Sequence, residues 1–545
     1  MIPYGHQKIG QSDIDGVEKV LRSDWLTQGP KVLEFEKMLA RYCGVKYAVV
    51  CSSGTSALHL AYSVAGLKKG DEAITTPNTF VATSNMMLAV GAKPVFCDIR
   101  PDTRNIDEGK IETLITKKTK AVAPVHFAGQ SCAMKEIKQI ARRHKLIIIE
   151  DACHALGGKY ENSKIGSCRY SDLAVFSFHP VKSITTGEGG AITTNNKKYY
   201  EKLISLRSHG IHKDAKGKNV MTELGFNYRM TDIQAVLGIS QLKKLDGFIK
   251  KRRQIAKWYA QELKNIPQIL LPQETKDNYS AWHIYVIRAS EPGNRDALAA
   301  FLKANGVGVN FHYPAVYAHP YYQNNGYKGF KLANEEIYQN SCLTLPCYPD
   351  LTEKQVKFIA GLIKKYFKTG ARTIFDQKII GEKIYLRKIK LTDVSKDYCD
   401  WLNDKEVNKD LAVKNWTMNE LRIYAGQKIN DPNCFFAGIF DKKNDQLIGT
   451  VKLESIDWKK KQGQFGLLVF NKNYWHQGIG SEATQLFIEH AFNALGLKKI
   501  SLVVYRQIQS AFKIYKKAGF KIDRIKRGMV HGDKIYDEVK MFIKK

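Results

Sequence analysis

The sequence predicts an α/β protein made of two successive units, the first built around a mostly parallel sheet covered by helices. Two observations lead to this prediction. From about residue 47 to 194, short apolar runs alternate with stretches of helical periodicity. After an irregular segment at 369–381, a second series of strand, loop and helix patterns continues to residue 545. A hydrophobic content of 44% is enough for two or three domains with sizeable cores.

The strands of the first unit are predicted from short runs of β-branched and other apolar residues. A helix is expected from Thr55, after the first run, and one long helix from about residue 237 to 263. The predicted strands are 47–50, 94–97, 121–127, 146–150, 173–176 and 191–194. Because ligands in such sheets bind beyond the carboxyl ends of the strands, the residues that follow these runs are the candidates for a site.

Composition and charge restrict the function. The formal net charge is +32, yet the lysines are spread along the chain, and we expect the short runs 250–253 and 459–461 to be solvated. This pattern does not favour nucleic-acid binding, and it fits acidic small substrates such as nucleotide sugars and coenzyme A. The ten cysteines form no Cys-x-x-Cys pair, so we expect neither a zinc site nor a disulfide framework. With no bilayer-length apolar run and no signal-peptide pattern, we expect a cytoplasmic protein without membrane insertion.

A lysine on a Gly-rich turn is the first candidate for catalysis. The predicted strand 173–176 leads into Ser177, a His-Pro step and Lys182, and the Gly-rich run 185–190 follows. A lysine held on a tight turn at a strand end can form a Schiff base with an aldehyde cofactor. The alternative for Lys182 is an exposed loop lysine, and only partner residues elsewhere in the chain decide between the two.

Such a cofactor needs backbone donors for its phosphate, a carboxylate for its pyridine nitrogen and a side chain that stacks on its ring. The run 52–56 follows a strand and opens a helix whose free amides can bind an anion, although ordinary helix capping gives the same pattern. Asp151 follows the predicted strand 146–150 and can pair with the pyridine nitrogen, or cap a helix. Phe80 can stack on the ring, or pack in the core.

The full set, in this order, resembles the DegT/StrS-type sugar-nucleotide aminotransferases from about residue 2 to 366. The resemblance implies an aspartate-aminotransferase-like fold (fold type I) with pyridoxal 5'-phosphate as the cofactor. It implies Lys182 as the Schiff-base lysine, Asp151 as the partner of the pyridine nitrogen and Phe80 at the ring. The phosphate is then expected to bind to Gly54, Thr55, Ser56 and Ser177.

Further motifs narrow the resemblance. Asn227 matches the family residue that reaches the phosphate of the neighbouring subunit, which implies a homodimer. The runs at 2–7, 23–30, 125–130 and 177–182 resemble the members of the family that act in pseudaminic acid biosynthesis. Those enzymes aminate C4 of a UDP-linked 4-keto-6-deoxy N-acetylated hexosamine with L-glutamate as the amino donor. The residues then expected near the sugar are Tyr4, His312 and Tyr313.

The second unit carries another phosphate-binding pattern. Residues 464–470 read as a strand, and the Gly-rich run 477–481 follows a loop and opens a helix. Glycines at such a turn bring free backbone amides to a phosphate group. A strand at 500–505 follows, and then a helix that leads into Tyr515-Lys516-Lys517-Ala518-Gly519-Phe520.

This pattern resembles the GNAT N-acetyltransferases from about residue 383 to 542. The resemblance implies that Leu468 and Phe470 offer backbone groups to the pantetheine arm of acetyl-CoA, and that Tyr515 protonates the departing thiolate. Helix packing is the alternative for Tyr515, and Glu454 is a candidate general base or a surface residue. Trp475 departs from the Arg or Gln that the family has at that position. The pyrophosphate is expected to bind to Gln477, Gly478, Ile479, Gly480 and Ser481.

The two units together predict a bifunctional enzyme. An aminotransferase at 1–368, with a large subdomain at about 1–245 and a small one at about 246–368, forms the C4 amine. After a linker at 369–381, an acetyltransferase at 382–545 acetylates that amine to give a UDP-2,4-diacetamido-2,4,6-trideoxyhexose. One alternative is the same two steps on a dTDP-linked 4-keto-6-deoxyhexose. The other is a non-catalytic sugar-nucleotide sensor, which the presence of Lys182 and Asp151 disfavours.

Overall fold

The computed structural model describes residues 1–290, 294–368, 378–409, 415–431, 433–458, 460–531 and 534–545. The chain divides into two units, 1–364 and 365–545. Most of the predicted linker, 369–377, lies outside the described residues. Its last part contains the strand Ile379–Ile380, which pairs with the sheet of the second unit.

The first unit contains one large sheet and several small ones. Its strands are β1 (Tyr47–Cys51), β2 (Glu72–Thr75), β3 (Lys93–Phe96), β4 (Thr119–Ala123), β5 (Ile147–Asp151), β6 (Lys159–Tyr160), β7 (Ser163–Lys164), β8 (Leu173–Ser177), β9 (Gly190–Thr194), β10 (Ile211–Lys213), β11 (Asn219–Met221), β12 (Ile269–Leu270), β13 (Asn278–Tyr279), β14 (Tyr285–Ala289) and β15 (Cys342–Leu345). The large sheet has the order β1-β9-β8-β5-β4-β2-β3, and only β9 runs antiparallel to its neighbours. The predicted mostly parallel sheet is therefore confirmed.

The large sheet is covered on both faces. Successive residues of a strand point to opposite sides, so Val49 and Val50 enter different cores, as do Val175 and Phe176. This two-sided burial explains why the strands read as continuous apolar runs. The helices of the unit are Gln11–Leu21, Pro30–Cys43, Gly54–Val64, Ala82–Ala89, Glu108–Ile111, Met134–His144, Lys197–Arg207, Asp232–Leu263, Asn294–Ala304, Pro320–Tyr322, Ala333–Gln339 and Glu353–Lys368.

Two expected boundaries differ from the structure for local reasons. The strand predicted at 121–127 ends at Ala123, because Pro124 has no backbone N–H for the ladder. The long helix begins at Asp232 rather than about 237, because Thr231 and Gln234 form a capping box at its start.

One charged run is not fully solvated as expected. Within 250–253, Arg252 is only 1% exposed, and Arg253 is half-buried against Glu274. The helix turns one face of this run into the protein, because residues three to four positions apart share a face. Arg252 therefore belongs to the interior of the first unit.

The second unit is built on an eight-stranded sheet. Its strands are β16 (Ile379–Ile380), β17 (Ile384–Lys388), β18 (Phe435–Asp441), β19 (Leu447–Asp457), β20 (Gln462–Val469), β21 (Lys499–Tyr505), β22 (Lys521–His531) and β23 (Lys534–Lys544). The order is β16-β17-β18-β19-β20-β21-β23-β22. Only β20 and β21 are parallel, and they pair over just Gln462–Gln464 and Lys499–Ser501. The remaining part of β20 thus faces β21 without a ladder.

Both faces of this second sheet are also covered. Phe435 and Phe436 enter separate cores on opposite sides. The helices are Lys396–Asn403, Lys405–Asn408, Met418–Asn430, Ile479–Asn493 and Gln509–Lys517.

Three further observations concern the described residues. None of their helices is long and apolar enough to cross a membrane. No group of three or more His, Cys, Asp and Glu side chains there is arranged to hold a metal ion. All ten cysteines are free thiols.

Candidate functional site

Lys182 lies on the turn between β8 and β9, at the carboxyl end of the large sheet. The turn is closed by backbone hydrogen bonds, in which Phe178 N donates to Gly189 O at 2.8 Å and Lys182 N donates to His179 O at 2.9 Å. Burial lowers the pKa of the Lys182 amine, and the charges of Cys153 and Asp151 oppose this effect in part. A lowered pKa increases the share of the neutral amine, which is the form that accepts a proton.

Asp151 ends β5, two strands from β9, and its carboxylate is held in place. Oδ2 accepts a hydrogen bond from the Thr83 hydroxyl at 2.6 Å, and Oδ1 accepts from the Cys153 backbone N–H at 3.2 Å. Thr83 is in turn 2.9 Å from the hydroxyl of Thr79. Asp151 acts electrostatically on the Lys182 amine, so the two predicted residues lie near each other.

The predicted phosphate residues also meet. Gly54 opens the helix Gly54–Val64, and a Cβ atom on it would lie 2.8 Å from Cβ of Ser177. This close approach requires glycine. The Ser56 hydroxyl is committed to the capping box with Ser53, whose Oγ accepts from Ser56 N at 3.0 Å. The first-turn amides at Gly54 and Thr55 and the Ser177 hydroxyl therefore remain as the donors for an anion.

The other residues predicted around the ring and the sugar lie at different depths. Phe80 is 59% exposed, with its ring centroid 6.4 Å from that of Tyr313. Tyr4 and His312 are in ring contact at 5.8 Å. Asn227 is exposed in the single chain.

A chain of buried polar side chains connects this pocket to the interior. The Tyr313 hydroxyl lies 3.1 Å from Nε2 of His154, and the His154 ring lies 4.4 Å from the ring of His283. Burial lowers the pKa of both histidines well below the usual value, and the charge of Lys182 acts in the same direction. Burial and Lys182 likewise lower the pKa of His312 to about 4. The three imidazoles are therefore neutral at physiological pH.

Sequence reasoning gave His154, His283 and Thr83 no role. Thr83 follows Phe80 by three residues and His154 follows Asp151 by three residues, so this proximity was a usable signal. His283 has no such local signal, because it reaches the pocket through the fold.

The second candidate site begins at Gly478, whose φ of 85° makes it the N-cap of the helix Ile479–Asn493. No side chain caps this helix, so the backbone N–H groups of its first turn, at 479–481, make no hydrogen bond to a capping side chain. Lys383 Nζ donates to the Gln477 carbonyl at 3.0 Å, which brings a positive charge to the same loop. Free amides and a cation together suit a phosphate group.

The backbone N–H of Phe470, which we expected to be available to the pantetheine arm, already has a partner within the sheet. The Phe470 N–H donates to Ile448 O at 3.1 Å on the β19 side, so it is not free for a ligand. Since alternate residues of a strand direct their backbone groups to the same side, Leu468 also faces β19, whereas Leu467 and Val469 face the unpaired edge. The indole N–H of Trp475 donates to Val469 O at 2.8 Å, on that free edge.

Tyr515 and Glu454 occupy contrasting surroundings. Tyr515 is 7% exposed beside the rings of Phe465 and Phe520, and burial raises its pKa to about 12. Glu454 accepts from Lys428 at 2.7 Å and pairs with Lys452 at 3.0 Å. Burial alone would raise the pKa of Glu454, but the two lysines lower it. Tyr515 is thus a protonated donor, and Glu454 is a weak base.

Comparisons with known families match both units. The model of the DegT/DnrJ/EryC1/StrS aminotransferase family matches residues 7–364. The model of the acetyltransferase (GNAT) domain matches residues 383–521.

Curated relatives and solved structures match about two thirds of this chain. A UDP-4-amino-4,6-dideoxy-N-acetyl-beta-L-altrosamine transaminase of Campylobacter jejuni is 42% identical over 364 residues, which is 66% of this chain and 96% of that protein. The spore coat polysaccharide biosynthesis protein SpsC of Bacillus subtilis is 38% identical, over 67% of this chain and 97% of that protein. The structure of Helicobacter pylori PseC, an aminotransferase involved in the biosynthesis of pseudoaminic acid, superposes with a TM-score of 0.65 and 35% identity. That match covers 68% of this chain and 99% of PseC.

Proposed function

The chain belongs to the DegT/DnrJ/EryC1/StrS aminotransferase family and carries a GNAT acetyltransferase domain, and on that premise we propose that it forms and then acetylates one amine of a nucleotide sugar. The first unit is a sugar aminotransferase that uses pyridoxal 5'-phosphate, and the second uses acetyl-CoA. We assign the substrate as a UDP-4-keto-6-deoxy-N-acetylhexosamine, L-glutamate as the amino donor and pseudaminic acid biosynthesis as the pathway. The half-buried Lys182 near Asp151 carries this proposal, and the altrosamine transaminase of 42% identity supports the choice of sugar.

The two activities are assigned to successive parts of the chain. The aminotransferase occupies 1–368, with a large subdomain at about 1–245 and a small one at about 246–368. The acetyltransferase occupies 382–545, after a linker at 369–381 whose strand Ile379–Ile380 pairs with the sheet of the second unit. The ten free thiols suit a reducing compartment, so we place the enzyme in the cytoplasm, where glutamate and acetyl-CoA are available.

The residues of the first unit fit pyridoxal 5'-phosphate. Gly54 leaves a cradle beside Ser177 that a Cβ would fill, and the helix amides there can bind the phosphate. The tethered Asp151 carboxylate suits a protonated pyridine nitrogen, and Phe80 offers an exposed ring face for stacking. The bound cofactor supplies an electron sink, which lets the carbon next to the nitrogen lose and gain a proton.

Within this site Lys182 moves the proton. With its pKa lowered by burial, the Nζ amine is a base that can remove the α-proton of the donor amino acid in one half-reaction and, as its conjugate acid, deliver a proton to C4 of the sugar in the other. Asp151 keeps its charge directed at the site because Thr83 and the Cys153 N–H fix both carboxylate oxygens. Ser177 and the amides of Gly54 and Thr55 hold the phosphate end.

The sugar side of the site is assigned to Tyr4, His312 and Tyr313. The Tyr313 hydroxyl is oriented by His154, and the buried imidazoles are neutral, so they act as uncharged hydrogen-bonding groups. These side chains can therefore hydrogen-bond the hydroxyl and keto oxygens of a sugar.

In the second unit, the amides at 479–481 and Lys383 are assigned to the pyrophosphate of acetyl-CoA. The free edge of β20 at Leu467 and Val469 can pair with the amide groups of the pantetheine arm. Tyr515, protonated at neutral pH, donates its proton to the departing thiolate. Glu454 is paired with two lysines and is therefore a weak base. We assign the removal of the proton from the sugar amine to water instead.

We also assign a homodimer, in which Asn227 reaches the cofactor phosphate of the partner. Asn227 is exposed, and the same unit exposes large apolar side chains that a second copy would cover. Those side chains are Ile14, Leu21, Trp25, Leu26, Leu33, Met221 and Leu224.

Mass spectrometry of a single reaction tests the proposed function. The purified protein is mixed with L-glutamate, acetyl-CoA, pyridoxal 5'-phosphate and the UDP-4-keto-6-deoxy-N-acetylhexosamine. A product that carries both the new nitrogen and an acetyl group is expected. Amine without acetyl would remove the second step from the proposal. A dTDP-4-keto-6-deoxyhexose is offered in a parallel reaction. If only that sugar is converted, it replaces the UDP-linked sugar as the assigned substrate.

A further inference from the structure

Arg252 is a buried cation with an unusual set of partners. It lies in the middle of the helix Asp232–Leu263 and is 1% exposed. Its Nη1 group donates to His283 O at 2.8 Å and to Cys347 O at 2.7 Å. Within the described part of the chain, no carboxylate pairs with it. An arginine stays charged even when it is buried, so its interior position costs free energy. The two hydrogen bonds to carbonyl oxygens must offset this cost.

The first carbonyl belongs to the residue that supports Tyr313. The His283 ring packs on His154 at 4.4 Å, and His154 Nε2 lies 3.1 Å from the Tyr313 hydroxyl. Nδ1 of both histidines is buried without a hydrogen-bond partner among the described residues, so no other polar contact fixes this ring pair from that side. The position of His283 therefore contributes, together with the Phe127 ring, to where His154 and Tyr313 lie.

The second carbonyl belongs to the segment that supports Tyr4. Cys347 N donates to Tyr4 O at 3.1 Å, and the Tyr4 ring lies 5.8 Å from the ring of His312. Cys347 and His283 are distant in sequence, and Arg252 lies on a third element. The two hydrogens of Nη1 thus connect both segments that carry the sugar-facing side chains.

Simple packing does not explain this arrangement. An apolar side chain of similar volume would fill the space without burying a charge. The loop at 346–347 is already attached to the same helix, because the Tyr259 hydroxyl donates to Pro346 O at 3.1 Å. The same loop also contacts the His283 segment directly, because Cys347 Sγ donates to Trp282 O at 3.5 Å and β14 pairs with β15 up to Tyr285 and Leu345. Arg252 adds a bridge from the helix Asp232–Leu263 to both segments at once.

We propose that Arg252 is a positioning residue of the aminotransferase site, which sets the spacing between the Tyr313 side and the Tyr4 side of the sugar pocket. The inference rests on the proposed function in one respect, that these tyrosines contact the sugar. Arg252 makes no hydrogen bond or ion pair with Lys182 or Asp151 in the described structure, so we expect it to affect the sugar half-reaction and not the amino-donor half-reaction.

Two half-reactions and a binding measurement separate these roles. Amination of the cofactor by L-glutamate is followed in the absence of sugar, and transfer of the amine to the keto sugar is followed separately. Calorimetry measures the binding of UDP and of the sugar nucleotide to the apoprotein. R252M should raise the KM of the sugar nucleotide and weaken its binding about tenfold or more, as a misplacement near 1 Å can do. The glutamate half-reaction should stay within about twofold of wild type. R252K, which keeps a charged donor, should lie between.

Tyr259→Phe is the matched control, because it loosens the same loop without touching His283. It should lower the melting temperature and leave the sugar KM unchanged. Equal losses in both half-reactions, or an unchanged sugar KM in a folded R252M, would overturn the proposal. If R252M does not fold, R252K must raise the sugar KM more than Y259F does, and equality of the two overturns the role. If the assigned sugar is wrong, the wild type itself fails to bind it, whereas its glutamate half-reaction remains measurable.

Discussion

Gly54 and Ser177 approach so closely that a Cβ atom on the glycine would lie 2.8 Å from Cβ of the serine. The contact joins the start of a helix to the end of β8, the strand that leads to Lys182. The spacing of the phosphate donors therefore depends on the missing side chain at residue 54.

Gly54→Ala should weaken the binding of pyridoxal 5'-phosphate by about tenfold or more, because the helix start or Ser177 must shift. A titration of the apoprotein, followed by cofactor absorbance, measures this. Gly247→Ala is the control, since its Cβ meets nothing within 4 Å and the change favours the helix. Equal cofactor affinity of the two variants would contradict the claim that the phosphate site requires the missing side chain at Gly54.

Lys182→Ala should abolish amine transfer and leave acetylation of a supplied 4-amino sugar at the wild-type rate. The reason is that Lys182 and Tyr515 belong to different units. The two rates are measured separately by chromatography. A parallel loss of both activities would contradict the assignment of two independent sites.

Tyr515→Phe should slow acetylation by about a hundredfold, as expected for the loss of a general acid, and leave amine transfer unchanged. Burial raises the Tyr515 pKa to about 12, so the wild-type hydroxyl is protonated throughout the neutral range. Steady-state kinetics with acetyl-CoA measure the effect. A wild-type rate would mean that Tyr515 only packs against Phe465 and Phe520.

Trp475→Phe should tighten coenzyme A binding by about two- to tenfold. The indole N–H holds the Val469 carbonyl, and its removal frees an acceptor on the strand edge, at the scale of one net hydrogen bond. Isothermal titration calorimetry measures the dissociation constants. Weaker binding would show that the indole supports the loop and does not compete with the ligand.

Acid should destabilise the first unit through its buried histidines. The folded pKa of His312 is lowered to about 4 from 6.5, so the unfolded chain binds more protons between these values and stability falls as pH drops from about 6.5 to 4. The full contribution of His312 is about 3 kcal/mol. His312→Asn, which can keep the bond to Thr344, should flatten this slope in denaturant melts. The exposed His212→Asn is the control, and an equal change in both variants would contradict the prediction.

Much of the site was predictable from local sequence. Apolar runs followed by polar residues placed Asp151 and Lys182 at strand ends, because a parallel sheet brings those ends to one edge. Gly54 and Gly478 stand at the starts of helices, where glycine and free amides have a local signature. These features depend on residues close together in the chain.

Local sequence thus predicted the alternation of strands and helices, the two kinds of phosphate-binding turn and the candidate residues at strand and helix ends, but not β2. Contacts between distant segments were needed to learn that Arg252 is buried, that His283 lies behind His154, and that Val469 rather than Phe470 faces the free edge of β20. The physical reason is that burial and strand-edge direction depend on contacts between distant segments. Periodicity assigns a residue to a face of its own element, but it does not state which other element covers that face.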